Sequence, residues 1–371
     1  MCSCQSQPPV EAARPVRAIP GSQVHELALA TWIEQKYDHA LPLFRLERIA
    51  QGDKVDLSRE LMARQIIKVS QQYFQPLVNL FSDAILSYDI IHMDETRLQV
   101  LQEPGRAAQT KSQLWIRRGG APDQQCIVLD YSPSRSTQTC AGYLEGFQGY
   151  LVSDAYSAYL NMGTQTHITN VLCNDHARRK FKEAFDTLDK KARRGSLADK
   201  ALQRYGQLYK LEQQYKNADP GHRLHMRQEK ARPLWQDFIA WASAIQRDGV
   251  AHSKTSKAFD YFLKYQKGLT TYLDEPRLPI SNISAEHVAK HIAVARKNFL
   301  FSCTPSGAQA SANCLSVIQT AKLHGHHVHQ YLTILLTELP KAQNTDMFEQ
   351  FLPWNITPAQ VKELYLKMPR L

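Results

Sequence analysis

SYDIIHMDETRLQVL, residues 87–101, marks the point where the chain changes character. Before it, apolar residues recur at helical spacing. Within it, Ile90, Ile91 and Met93 crowd together and Asp94 follows directly, the signature of a buried strand rather than an amphipathic helix. Two further runs of the same kind follow, SQLWIRRGG (112–120) and QQCIVLDYSPSR (124–135), separated by Gly, Pro and Asp turns, which predicts a three-stranded meander. TQTCAGYLEGF (137–147) then reads as a helix, GYLVSDAYSAY (149–159) as a strand ending at Asp154, and HITNVLC (167–173) as another strand. The order βββαβ(α)β predicts an α/β fold built on a mixed sheet flanked by helices.

Working outward, residues 23–86 are helical in pattern. LPLFRLERIAQ (41–51) is followed by GDKVDLS (52–58), and Ser58 stands ready to cap SRELMARQIIKVS (58–70), with Leu61, Ile66 and Ile67 on an apolar face. The Gly-containing turn, with Arg45, Arg48, Arg64 and Lys68 on the polar side, fits a helix-turn-helix. A plain helical hairpin is the simpler reading of the same pattern. Residues 1–22, with Pro8, Pro9, Pro15 and Pro20, read as a linker. From His176 to about Leu273 the chain is helical and Lys/Gln-rich, with a break at DPGHR (219–223). The loop LDEPRLPISN (273–282), the helix SAEHVAKHIAVARK (284–297) and a helical region over 307–339 follow.

At 371 residues and 43% hydrophobic, the chain can bury a core in each of two or three domains, and the composition excludes collagen-like and disordered classes. No run approaches the ~20 apolar residues of a membrane helix, and the N-terminus lacks the apolar segment of a signal peptide. An odd count of seven irregularly spaced Cys does not read as a disulfide framework, which points to a reducing cytoplasm. The net charge of +10 is concentrated, because residues 175–232 hold 16 Lys/Arg against 8 Asp/Glu. Such a field suits a polyanion such as nucleic acid, although a solvated basic helical surface would give the same count.

Three acids stand out by position. Asp94 and Asp154 each end an apolar strand-like run, and Glu286 lies in the first turn of a predicted helix. For any one of them a surface cap or strand edge is the ordinary explanation. Together they suit two-metal phosphoryl transfer, in which carboxylates hold two Mg2+ (or Mn2+) ions for an in-line displacement. Cys173 and His176 have C-x-x-H spacing without a second Cys/His pair, so a closed zinc site is not expected. HGHHVH (324–329) reads as a helix junction, and no Walker A loop, G-x-S-x-G or dinucleotide fingerprint is present.

Beyond these patterns, HMDET around Asp94, LVSDAYSAY around Asp154, CNDHARRKF (173–181) and ARKNFLF (295–301) resemble the large transposase subunit of the insertion sequence 66 family. The resemblance runs on through SVIQTAKLHG, YLTILLTELP and LPWN, and covers the chain from about Ile19. It implies a DDE transposase with an RNase H-like catalytic core, interrupted by a large helical insertion and preceded by a helical DNA-binding region. On that basis the segments expected are a remnant of a zinc-binding module (1–22), a helix-turn-helix-like region (23–86), the first part of the core (87–175), a basic helical insertion (176–275), the last part of the core (276–340) and a tail (341–371).

Carried over residue by residue, Asp94, Asp154 and Glu286 become the catalytic and metal-binding acids. His176, Arg178, Arg179, Lys180, Arg296 and Lys297 become candidate DNA contacts. The implied partners are double-stranded DNA (element ends and target), a second copy of the chain, and accessory proteins of the same element, in the cytoplasm at the nucleoid and with no membrane. Three departures accompany the match, one of them Asn174-Asp175 in place of a more usual aromatic-Ala pair. The family's usual leader and zinc module are represented only by MCSCQS, and its D-N-N-x-x-E-R is replaced by Ser281-Asn282-Ile283-Ser284-Ala285-Glu286-His287. They leave a second expectation open, a truncated and catalytically impaired DNA-binding remnant.

Overall fold

A computed structural model describes residues 16–165, 167–247 and 253–368. Residues 1–15, with Cys2, Cys4 and most of the expected linker, lie outside the described residues. The chain divides into two compact units, Met1–Leu80 with Asn313–Leu371, and Phe81–Ala312. The boundary at residue 312 falls within the stretch 276–340, whose second half groups with the N-terminal helices, as do residues 341–371.

The first unit begins with α1 (Glu26–Tyr37), α2 (Leu43–Gly52) and α3 (Arg59–Val69), the last running through a π-helical turn into α4 (Gln75–Leu86). Ser58 caps α3 as its position suggests, accepting the Leu61 N–H at 3.1 Å. Amphipathic α2 buries none of its residues, and its exposed Phe44 is flanked by the guanidinium groups of Arg48 and Arg59.

In the second unit β1 (Ile90–Gln99), β2 (Lys111–Gly119) and β3 (Cys126–Ser132) form the expected antiparallel meander. After α5 (Thr137–Tyr143) the chain crosses to β4 (Gly149–Ser153), and after α6 (Ser157–Gln165) to β5 (Ile168–Leu172). Both β1/β4 and β4/β5 are parallel, so the five-stranded mixed sheet has the order β3-β2-β1-β4-β5. Leu114, Trp115 and Ile116 of β2 and Ile127, Val128 and Leu129 of β3 are all buried, so these strands are covered on both faces. Gly149 is required where β4 meets β1. Its φ is +142°, and a Cβ there would lie 2.3 Å from the Asp89 carbonyl oxygen.

The stretch expected as an insertion comprises α7 (Asn174–Asp186), α8 (Lys190–Arg193), α9 (Leu197–Gln214), α10 (Pro220–Met226), a π-helical turn Arg227–Ala231, α11 (Arg232–Arg247) and α12 (Lys254–Thr270). It is held by an aromatic core of Phe181, Tyr205, Trp235, Phe238, Phe259 and Phe262, each at most 1% exposed. The cluster continues into the sheet through Ile90, Val152, Val171 and Leu172, so the insertion is packed onto the strands rather than tethered beside them. Truncating one such Phe to Ala is the kind of change that costs about 3–5 kcal/mol.

Part of the basic excess turns out to be structural. Arg193 and Arg223 donate to backbone carbonyls, Arg204 stacks on Trp241, Arg232 pairs with Asp274, and Arg227 is buried. Charge counting could not separate these from cations facing solvent.

The last elements are α13 (Ile283–Phe299), which packs on β1 and β2, α14 (Pro305–Leu323), α15 (Val328–Glu338), α16 (Thr345–Glu349) and α17 (Pro358–Lys367). In the first unit α1 packs against α15, which explains why the C-terminal residues group with it. The HGHHVH run is a helix junction: Gly325 takes φ +73°, His326 Nε2 lies 2.8 Å from the Pro353 carbonyl oxygen, and His329 Nε2 lies 3.0 Å from Thr31 Oγ1. Among the described residues no helix is long and apolar enough to cross a membrane.

Candidate active site

The register of the parallel strands organises the site. Ile90 pairs with Tyr150, Ile91 with Leu151 and His92 with Val152. Two residues further along, the same register sets Asp154 level with Asp94 on strands about 4.8 Å apart. On the other side of β4, Ser153 pairs with Leu172, so the next residue, Cys173, comes level with Asp154. Asp94, midway along β1, thus forms a row with Asp154 and Cys173, which directly follow β4 and β5, at the level where the parallel pairing of the three strands ends and where α/β sheets commonly place their ligands.

Asp94 is half-buried, and one of its oxygens accepts the Glu95 N–H at 2.8 Å. Burial, with the like charges of Glu95, Asp154 and Glu286, pushes its carboxyl from 3.8 up to about 7. Asp154 accepts the Tyr156 N–H at 2.9 Å, which fixes the turn out of β4. The Arg135 guanidinium lies 3.8 Å from the Tyr156 ring centroid and pairs with Glu95, which also accepts from the Tyr159 hydroxyl.

Glu286 sits in the first turn of α13, where the helix dipole favours an anion. Its carboxylate accepts the Cys173 S–H at 3.1 Å, and lies 3.4 Å from His176 Nδ1 and 3.7 Å from Arg179. Burial and the neighbouring Glu286 push the Cys173 thiol well above its ordinary range.

A small polar network ties α13 to β1. The Asn282 side-chain amide donates to the Met93 carbonyl at 2.7 Å, which turns its oxygen toward His92 Nδ1 at 3.0 Å. Ser284 Oγ lies 3.0 Å from the same nitrogen. Burial drops His92 to about 4, so near neutrality the ring is uncharged, and the Asn282 oxygen requires the proton on Nδ1. The Asn282 backbone N–H donates to Cys173 Sγ at 3.2 Å. One side chain thereby sets the height of the Glu286 helix relative to the strand carrying Asp94. Asn282→Ala is expected to lower stability by about 1–3 kcal/mol by taking the side-chain donor from the Met93 carbonyl and leaving His92 Nδ1 with Ser284 alone. Denaturant unfolding measures this, and an unchanged midpoint would remove Asn282 from the network.

A cleft of about 540 Å³ opens over Asp94 and Glu286, with His176, Arg178, Arg179, Lys182 and Lys290 around it. A second recess of about 280 Å³ joins Asp154 to Arg135, Lys180 and Tyr261, and shares His176 and Arg179 with the first. Lys180 lies 4.6 Å from the Tyr261 ring centroid.

Arg296 and Lys297 are not brought to either. They occupy the last turn of α13, ten residues and about 15 Å along the helix from Glu286, and Arg296 reaches Thr96 Oγ1 at 3.4 Å. Sequence reasoning did not single out Lys182 and Lys290. Helical spacing from Arg178, Arg179 and Glu286 could have found them. Arg135 carried no such signal, because it follows β3 and reaches the site only through the sheet's order.

The departures at Asn174 and Asp175 have structural partners. Asn174 is fully buried and donates to the Leu269 and Ile280 carbonyls, and Asp175 accepts the Tyr209 hydroxyl at 2.5 Å.

A mixed five-stranded sheet in this order, flanked by many helices, is consistent with the RNase H-like core of a DDE transposase. Residues 21–310 match the family described as "Transposase IS66 family", and residues 316–354 match the "IS66 C-terminal element". The chain belongs to the IS66 transposase family. It is also similar to three proteins of Sinorhizobium fredii named as uncharacterized. Over 94% of this chain it is 28% identical to y4qI, and over 95% it is 27% identical to both y4hP and y4jD. It spans 66%, 65% and 70% of the lengths of those relatives, respectively.

Proposed function

We propose that the carboxylate-floored cleft is a DDE-type active site that hydrolyses a phosphodiester at an element end and joins the freed 3′-OH to target DNA. The observation that carries this reading is the strand register bringing Asp94 level with Asp154, with Glu286 opening onto the same cleft as Asp94. The donor set fits a divalent cation: three hard carboxylates, of which Asp94 is raised by burial and further by the like charges of Glu95, Asp154 and Glu286, a cost that a cation relieves. Asp94, Asp154 and Glu286 would hold two Mg2+ or Mn2+ ions. When bound, these supply charge stabilisation for in-line displacement at phosphorus.

The protein's own groups do the remaining work. Arg178 and Arg179 present positive charge beside the acids, and Lys180 does so at the Asp154 recess, so a DNA backbone laid along α7 meets cations before it meets carboxylates. His176, between the two recesses, is positioned to donate to a phosphate oxygen. Arg296 and Lys297 would serve DNA lying further along α13. The working species is a homodimer or larger assembly on double-stranded DNA at the nucleoid, with accessory proteins of the same element as candidate partners.

Neutralising Arg178, Arg179 and Lys180 together is expected to flatten the dependence of log K on log salt by about 2–3. An unchanged slope in a binding titration would exclude all three as phosphate contacts.

The direct test is strand transfer by the purified chain, with a pre-cleaved end, a plasmid target and Mg2+, Mn2+ or EDTA. Metal-dependent joined product is the expected result. One observation favours a second reading, a DNA-binding remnant: the Glu286 carboxylate is already engaged by Cys173, His176 and Arg179. End binding without joining in any metal would support that reading instead.

A further inference from the structure

Cys173, His176 and Glu286 come from the end of β5, the first turn of α7 and the first turn of α13, and their donor atoms lie within 4.8 Å of one another. We propose that these three side chains bind a borderline-soft divalent cation of the zinc type, and that filling this site withdraws Glu286 from the hard-metal site it would share with Asp94 and Asp154.

The distances suit such an ion. Tetrahedral zinc bonds of about 2.0–2.3 Å separate neighbouring ligand atoms by about 3.3–3.6 Å. Cys173 Sγ and His176 Nδ1 already lie 3.1 and 3.4 Å from the same Glu286 oxygen. His176 Nδ1 is buried and makes no hydrogen bond, so this ring nitrogen faces the Glu286 oxygen at 3.4 Å with its lone pair or proton uncommitted. The sulfur is supported from behind by the Asn282 N–H at 3.2 Å, the kind of outer contact that holds a metal-bound thiolate in place. The Cys173 backbone is pinned by its N–H to the Ser153 carbonyl at 2.8 Å.

Mg2+ selects oxygen donors and has little use for a thiol or an imidazole, whereas zinc takes all three groups. The two sites therefore differ in chemistry and share one residue. On zinc binding, bonds form to sulfur, nitrogen and oxygen, the Cys173 thiol proton passes to solvent, and Glu286 exchanges an S–H donor for the cation. His176 and Glu286 line the cleft, so the site has access to an exchangeable fourth ligand.

The binding half of this proposal is independent of the transposase reading. The inhibitory half rests on it. Co2+ is the probe, added to the full chain carrying Cys2→Ser and Cys4→Ser so that the N-terminal thiols contribute nothing. One equivalent should produce tetrahedral visible bands and a near-ultraviolet thiolate-to-cobalt band. Cys173→Ser should abolish the thiolate band and weaken affinity by more than the roughly 10–100-fold that losing an outer contact costs.

A thiolate band that survives Cys173→Ser, or no thiolate band at saturating Co2+, overturns the site. Should Cys173→Ser fail to fold, His176→Gln is the second variant, since that ring is a quarter exposed. It should lose affinity but keep the thiolate band at saturation, and undiminished affinity overturns the site.

In strand transfer at fixed Mg2+, added Zn2+ should inhibit the wild type at concentrations at least tenfold below those needed for Cys173→Ser, each measured against its own uninhibited rate. Equal sensitivity overturns the inhibitory role. If no joining occurs in any metal while the cobalt spectrum behaves as expected, the transposase reading fails and the metal site stands.

Discussion

Asp94→Asn is expected to lower metal-dependent strand joining by about 10⁴-fold, the scale of losing one member of a cooperating catalytic set, while end binding is retained. The same substitution should raise the melting temperature of the metal-free protein. The two effects share one cause. Asp94 is half-buried, with the like charges of Glu95, Asp154 and Glu286 near it, and its carboxyl is raised from 3.8 to about 7. Below pH 3.8 the group is neutral both folded and unfolded, so it contributes nothing. Between 3.8 and about 7 the folded protein keeps a proton that the unfolded chain releases, and stability falls as pH rises through that window. Above about 7 the whole penalty is present.

Asn removes that penalty, so the variant's advantage should be nil near pH 4 and largest at pH 8. Added Mg2+ should narrow the gap by stabilising the wild type alone. Thermal melts at the two pH values, with and without Mg2+, measure all of this. Full joining activity in the variant would sink Asp94 as a ligand, and a pH-independent difference in melting would sink the electrostatic account.

The second large effect lies far from the cleft. Arg227→Met is expected to destabilise the protein by about 3–5 kcal/mol, the cost of removing one partner from a buried ion pair, out of the roughly 5–15 kcal/mol that stabilises a folded protein. The Arg227 side chain is 2% exposed and uses all five of its N–H donors. Two go to Glu212 at 2.7 and 3.0 Å, and three to the carbonyls of Tyr272, Glu275 and Leu278 at 2.7–3.0 Å. Met fills the volume but leaves a mostly buried carboxylate and three carbonyls without a donor.

Those carbonyls belong to the loop that leads into α13, and Arg223 holds the Pro276 carbonyl of the same loop at 3.0 Å. The insertion thus sets the approach to Glu286, and joining should fall together with stability. A denaturant midpoint unchanged from wild type would refute the assignment. Arg227→Lys should recover only part of the loss, since an ammonium offers three donors where the guanidinium offers five.

These two sites show what could be read from residues alone. The meander, the strand ending at Asp154, the Ser58 cap and the junction at HGHHVH were all legible, because each depends on local periodicity or on turn and cap chemistry within a few residues. The prominence of Asp94 and Asp154 in the sequence had a related reason, since a carboxylate directly following a buried apolar run is costly wherever it occurs, whereas Glu286 stood out only by its place in the first turn of a helix. The roles of Arg227 and Arg135 were not legible, since a cation in the sequence looks the same whether it faces solvent or carbonyls 45 residues away.

By itself the sequence determined a mixed sheet flanked by helices and the family, both properties of patterns along the chain. Only the tertiary structure decided that Asp94 stands level with Asp154, that Cys173 and His176 meet Glu286, and that Arg296 and Lys297 do not reach the cleft. It also decided that the C-terminal helices join the first unit. Strand register and helix docking are set by the burial of side chains from distant segments, and no local pattern encodes which distant partner a residue will find.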